Sequence, residues 1–180
     1  VVPIDVVDQE IDMLVSGTLK FLLGGPGIAF LYVDPDVAAG LEPTNLGWFG
    51  VDDVFGFETE DPAYAPGGRR FEQGTPPATA AYQASAGMSV IEDVGIDTIR
   101  ERTRDHTGHL VTGARDRGFS VRTPTNPDRR GSVVNVQVAD PAETEQALLE
   151  AGFNVSQRGG GVRLSPHFYN TTPELDRALD

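Results

Sequence analysis

The 180-residue chain contains no cysteine. Disulfides, thiolate metal ligands and any mechanism that uses a cysteine of this chain are therefore excluded. Lysine is almost as scarce, since Lys20 is the single lysine among 14 lysines and arginines. A desolvated lysine amine gives up its proton and can attack an aldehyde, which a guanidinium cannot do. Lys20 is thus the first candidate for covalent chemistry. No stretch approaches the roughly 18 consecutive apolar residues of a membrane helix. No basic segment followed by an apolar core suggests a signal peptide. Positive charge is also short, and the formal net charge is −13. A nucleic-acid face needs clustered Lys or Arg, and this field would repel phosphate. Arg100-Glu101-Arg102-Thr103-Arg104 is locally basic, but its helical spacing reads as ion pairs with acidic neighbours.

What is present describes a globular protein: 39% hydrophobic and 23% charged residues, too apolar for a disordered chain. The length suits one ordinary domain or two small ones. Acid excess with almost no lysine resembles the composition of halophilic proteins, whose carboxylates keep the surface hydrated; solubility is the plainer reading. The chain opens on Val1 and stops at Asp180 inside a helical pattern. A fragment of something longer is expected.

Two apolar runs, Ile11 to Val15 and Gly27 to Val33, read as strands buried on both faces. Between them lie Lys20 and Gly24-Gly25-Pro26-Gly27, where glycines let the backbone approach a ligand. Residues 34–74 lack periodicity and read mostly as loop. Within them Gly47-Trp48-Phe49-Gly50 holds the only tryptophan, read from composition as a hydrophobic plug under the loop. Thr75-Pro76-Pro77 looks like a capped helix start, followed by Ala80, Ala81, Ala84, Met88 and Ile91 at helical spacing. A second helix is expected from Ile96 to Arg117, with Ile99, Thr103, His106, Leu110 and Ala114 on one face and Gly118 closing it. Then come an alternating strand around Val134, Val136 and Val138, a helix opened by Asp140-Pro141-Ala142-Glu143, a strand pair around Gly159-Gly160-Gly161, and a last helix from Thr172. The domain boundary is expected near Gly95, giving parts 1–94 and 95–180.

Several residues invite chemistry. Lys20 suits a Schiff-base lysine if it is desolvated. Arg163, between Val162 and Leu164 in an apolar strand, suits bidentate carboxylate binding, with a solvent-facing or locally paired arginine as the plain alternative. His106 and His109, three apart on one helix, make a weak zinc signal without a third ligand, so no metal is expected. His167 follows Arg163 closely. No nucleophile elbow, P-loop or dinucleotide glycine pattern is present.

Taken together, these segments resemble the class V aminotransferase family of fold-type I pyridoxal-phosphate enzymes. Ser16-Gly17-Thr18-Leu19-Lys20-Phe21-Leu22, the Gly-Pro-Gly turn and Phe30-Leu31-Tyr32-Val33 resemble its cofactor-lysine segment. Arg70-Phe71-Glu72-Gln73-Gly74-Thr75-Pro76 is similar to its Arg-Phe-Glu-x-Gly-Thr-Pro motif. Val162-Arg163-Leu164-Ser165-Pro166-His167-Phe168-Tyr169-Asn170-Thr171 is similar to its carboxylate-arginine segment.

The resemblance implies an α/β fold: the C-terminal part of the cofactor-binding large domain over 1–94, then a small α+β domain over 95–180. It implies pyridoxal 5'-phosphate bound by Lys20, Trp48 and Thr75, with Lys20 as Schiff-base former and proton carrier. Arg163 would clamp the α-carboxylate of a small amino-acid substrate. Thr75 would reach the cofactor phosphate of a neighbouring subunit, which implies a homodimer with shared sites. A cytoplasmic enzyme without nucleic-acid or membrane partners is expected.

The Gly-Gly-Pro-Gly and Gly-Trp-Phe-Gly motifs look most like the kynureninase branch, and the expected reaction is transamination or a kynureninase-like or selenocysteine-lyase-like side-chain cleavage. Val51 replaces that branch's histidine and Thr75 its asparagine, which counts against kynurenine as substrate. Leu19 replaces the histidine that precedes the lysine in many members, and the lack of cysteine counts against a persulfide-forming desulfurase. The family's pyridine-pairing aspartate, ring-stacking residue and main phosphate loop precede the lysine by more than the residues present here. The isolated chain is therefore expected to bind the cofactor poorly, and the alternative reading is a catalytically incomplete fragment or pseudoenzyme serving as a structural or dimerisation module.

Overall fold

The computed structural model describes residues 2–180 and divides into two compact units, one of them Ile4–Asp93 and the other formed chiefly by Val94–Asp180. No helix among the described residues is long and apolar enough to cross a membrane.

In the first unit, β1 (Met13–Gly17) and β2 (Ala29–Val33) pair antiparallel in a two-stranded sheet, with Ser16 opposite Phe30 and Gly17 opposite Ala29. The expectation of strands buried on both faces is overturned: Val15 is 70% exposed, and Met13, Phe30 and Leu31 are exposed too. The cause is topological, because a lone two-stranded ribbon has too little width to be covered by its own unit. Asp34 then caps α1 (Pro35–Ala39), its carboxylate accepting the N–H groups of Asp36 and Val37 at 2.9 and 3.2 Å. Two tight 3-10 turns follow, Trp48–Gly50 and Gly67–Phe71. Helix α2 (Ala78–Val94) closes the unit. Its first bond runs from Ala81 N–H to the Pro77 carbonyl, so Thr75 stands ahead of the cap instead of forming it.

Gly95, at φ 86°, breaks α2 from α3 (Ile96–Asp116). Only a residue without Cβ takes this conformation cheaply. The periodic stripe Ile99, Thr103, His106, Leu110 and Ala114 is buried along α3, and Gly118 at φ 85° ends the helix with a bond from its N–H to the Arg115 carbonyl.

The remaining elements are β3 (Ser120–Val121), β4 (Val134–Gln137), α4 (Pro141–Glu150), β5 (Ser156–Arg158), β6 (Gly161–Leu164) and α5 (Thr172–Arg177). The strands form one antiparallel sheet in the order β3-β4-β6-β5. Asp140 caps α4 by accepting from Ala142 and Glu143 N–H, each at 3.0 Å. Val134, Val136, Val162 and Leu164 point to one face and form the core with Leu110, Val111, Ala114, Leu175 and Leu179. Side chains alternate along a strand, so Asn135 and Arg163 take the opposite face.

Candidate active site

Lys20 sits in the β1–β2 connection, and this loop is held from within. The buried Thr18 hydroxyl donates to the Ile28 carbonyl at 3.3 Å, and Gly24 N–H returns to the Thr18 carbonyl at 2.9 Å. Leu23 N–H bonds the Lys20 carbonyl at 3.0 Å, closing a turn in which Leu23 adopts φ 57°. A leucine in the left-handed region costs on the order of 1 kcal/mol and persists only where its surroundings hold it. Helix α2 is the support: a Cβ on Gly87 would stand 2.4 Å from the Leu23 carbonyl carbon, and one on Gly24 would stand 3.0 Å from Ala84 Cα.

The Lys20 side chain is exposed and makes no hydrogen bond or ion pair among the described residues, although the chain carries 27 acidic residues. The desolvating walls expected around it are not supplied by its flanking strands, which are themselves half exposed.

The tryptophan and threonine motifs are brought together. Trp48 N–H donates to the Gln73 carbonyl at 3.0 Å, and Gln73 Nε2 donates to the Asn45 carbonyl at 3.1 Å. A Cβ on Gly47 would lie 2.2 Å from Gln73 Cα, so only glycine permits this approach. Thr75 stands two residues on, exposed, its hydroxyl without a protein partner among the described residues.

Trp48 is no buried plug, being 46% exposed. Its ring stacks on Phe57 at 6.1 Å and meets Phe49 and Phe55 edge-on, while its indole N–H donates to the Val54 carbonyl at 2.5 Å. It therefore offers a ligand a ring face and no donor.

Arg70, which the sequence motif left without a role, ties the loop region together. Its guanidinium donates to the carbonyls of Ala38, Leu41 and Ala65 and lies over the Tyr64 ring. The signal was an arginine five residues before Thr75 in a stretch rich in glycine and proline, where backbone carbonyls lack regular partners.

Arg163 lies in the second unit on β6, directly between Asn135 of β4 and Ser156 of β5. Its side chain forms no hydrogen bond or ion pair among the described residues, and its Nε is buried without a partner. Arg70, Arg100 and Arg130 are also buried or half-buried without a carboxylate, but each donates to backbone carbonyls, whereas the Arg163 side chain donates to none.

The histidines do not converge. His106 is buried in the α3 stripe, and burial, then the Arg102 cation, lowers its pKa against a hydrogen bond to the Asn170 backbone. His109 Nε2 pairs with Asp176 at 2.6 Å. His167 stacks on Tyr169 at 5.1 Å, and its Nδ1 accepts the Phe168 N–H. No cluster able to hold a metal exists among the described residues.

The Aminotransferase class-V family model matches residues 1–177. The uncharacterized aminotransferase YcbU of Bacillus subtilis is 36% identical over 179 residues, covering 99% of this chain and 47% of its own length. The kynureninase of Pseudomonas fluorescens is 28% identical over 158 residues, covering 84% of this chain and 37% of its own. Among solved structures, C-DES with glycine covalently linked to its PLP cofactor superposes with a TM-score of 0.86 at 20% identity, covering 98% of this chain and 47% of that one. The chain thus spans just under half the length of the relatives it matches, and the mixed α/β architecture of both units is that of the superposed portion.

Proposed function

Because the chain belongs to the aminotransferase class-V family, we propose that it supplies the lysine, the phosphate-contacting threonine and the carboxylate-binding arginine of a pyridoxal-phosphate enzyme acting on an amino acid. The observation that carries this reading is Arg163, whose side chain is half-buried, bonds no described residue and keeps a buried Nε without a partner.

The donor chemistry suits the cofactor: Lys20 offers an amine for its aldehyde, and Thr75 a partnerless hydroxyl for its phosphate. When bound, pyridoxal phosphate supplies an electron sink that lets a bond to the substrate Cα break. Lys20 Nζ would be the amine that holds the cofactor through its aldehyde and, when free, would carry a proton to or from the substrate Cα. The turn bonded through Leu23 and backed by α2 fixes where that amine starts. Thr75 Oγ1 would donate to the phosphate of a cofactor bound by the neighbouring subunit of a homodimer, and Trp48, tied to the same segment by its bond to Gln73, would lie near that phosphate. Arg163 takes the substrate α-carboxylate through two parallel N–H donors, which orients the Cα bonds for transamination or side-chain cleavage.

Lys20's exposure supports a second reading for the 180 residues alone, as a structural or dimerisation module without turnover. Adding pyridoxal phosphate to the intact protein and recording the visible absorbance tests the enzyme reading, and the same titration of the 180 residues alone tests the module reading, which predicts no band there. The intact protein should gain a band that Lys20→Ala lacks; absence of the band from the intact protein would overturn the enzyme reading.

A further inference from the structure

Arg163 and Ser156 face each other across the β6–β5 ladder, and each carries a buried polar atom that no described residue bonds: Arg163 Nε and Ser156 Oγ. A buried donor and a buried hydroxyl left unpaired are both costly, and two of them on directly opposed residues is an arrangement that calls for a partner. Directly paired strand residues project to the same face with Cβ atoms about 4.5–5.5 Å apart. From that separation an arginine Nε reaches a serine Oγ by side-chain rotation, with no movement of the strands.

The neighbour on the other side is already engaged. Asn135 Nδ2 donates to the Arg158 carbonyl at 2.6 Å, and its Oδ1 accepts from Gln137 Nε2. Ser156 Oγ is therefore the acceptor in this row that has no bond at all.

We propose that Ser156 is the positioning residue of Arg163: its Oγ accepts the Nε–H when a carboxylate takes the outer edge of the guanidinium, fixing the plane in which Nη1 and Nη2 meet the anion. This rests on reading Arg163 as the carboxylate-binding residue. The bond locks the stem side of the guanidinium, where no ligand reaches, and leaves the two terminal nitrogens for bidentate contact. A guanidinium held in one plane loses less freedom on binding than one that must be ordered by the ligand itself. Threonine keeps the acceptor at this position and alanine removes it.

The test uses the intact protein with its cofactor and propionate as probe, a carboxylate without an amine, with propionamide as its uncharged counterpart. Dissociation constants come from saturation-transfer NMR, and melting temperatures check that each variant is folded. Propionate should bind and propionamide should not. Ser156→Ala should weaken propionate about fivefold to tenfold, the scale of one ordinary net hydrogen bond. Ser156→Thr should stay within about twofold of the parent, and Ser156→Ala added to Arg163→Ala should change nothing further. If Ser156→Ala binds propionate like the parent while Arg163→Ala loses it, the positioning role is overturned and the Arg163 reading stands. If Arg163→Ala binds like the parent, the reading of Arg163 itself fails.

Discussion

A Cβ built on Gly87 would stand 2.4 Å from the carbonyl carbon of Leu23, so α2 and the turn that carries Lys20 meet backbone to backbone. The helix has no side chain at that point because the turn occupies its place. Gly87→Ala should therefore displace the Lys20 turn and destabilise the protein by about 1–3 kcal/mol, the usual cost of overpacking. Urea unfolding measures the loss, and the affinity for pyridoxal phosphate should fall with it.

Trp48 spends its indole N–H on the Val54 carbonyl. Trp48→Phe keeps an aromatic face for Phe57 and removes that bond, at a cost of about 1 kcal/mol. The loop over residues 51–62 should become the first site of limited proteolysis. Loss of cofactor affinity should be modest, since the indole N–H is already spent within the loop and phenylalanine keeps the ring.

Arg163→Lys preserves charge but replaces a planar fork with a point charge. Substrate KM should rise by about tenfold or more with a smaller change in kcat, measured by steady-state kinetics on whichever amino acid the intact protein turns over.

His106 titrates against stability. Burial lowers its folded pKa below the ordinary value of 6.5, so below that pH the unfolded chain takes up a proton that the folded protein refuses. Stability should therefore fall as pH drops from about 7 towards 5, and the loss should level off once the folded-state pKa is passed. His106→Asn keeps a donor for the Asn170 carbonyl and removes the titration. The difference in urea midpoint between parent and variant should shrink as pH falls; a constant difference across that range would contradict this account.

Much of the second unit is legible in the residues themselves. The α3 stripe, the Asp140 cap and the alternation of Val134 and Val136 with Asn135 and Gln137 are local signals, and local signals survive into the structure. The exposure of β1 and β2 is not legible, because a run such as Ala29-Phe30-Leu31-Tyr32-Val33 has the same apolar character whether or not other strands flank it. Thr75 reads as a cap because Thr and Pro suit a helix start, yet the helix begins two residues later, where Ala81 bonds Pro77. Arg163 is legible as an arginine set in an apolar strand. Ser156 is not, since its importance depends on the register that places it opposite Arg163, and a serine in a short polar strand carries no sign of its partner.

The scarcity of lysine makes the central claim directly measurable, because Lys20 is the only side chain in these 180 residues with a primary amine. The intact protein should be incubated with pyridoxal phosphate, reduced with borohydride, digested and examined by peptide mass spectrometry. The account predicts a stable pyridoxyl adduct on the peptide containing Lys20, absent from the corresponding peptide of Lys20→Arg. An unmodified Lys20 peptide in cofactor-saturated protein would contradict it.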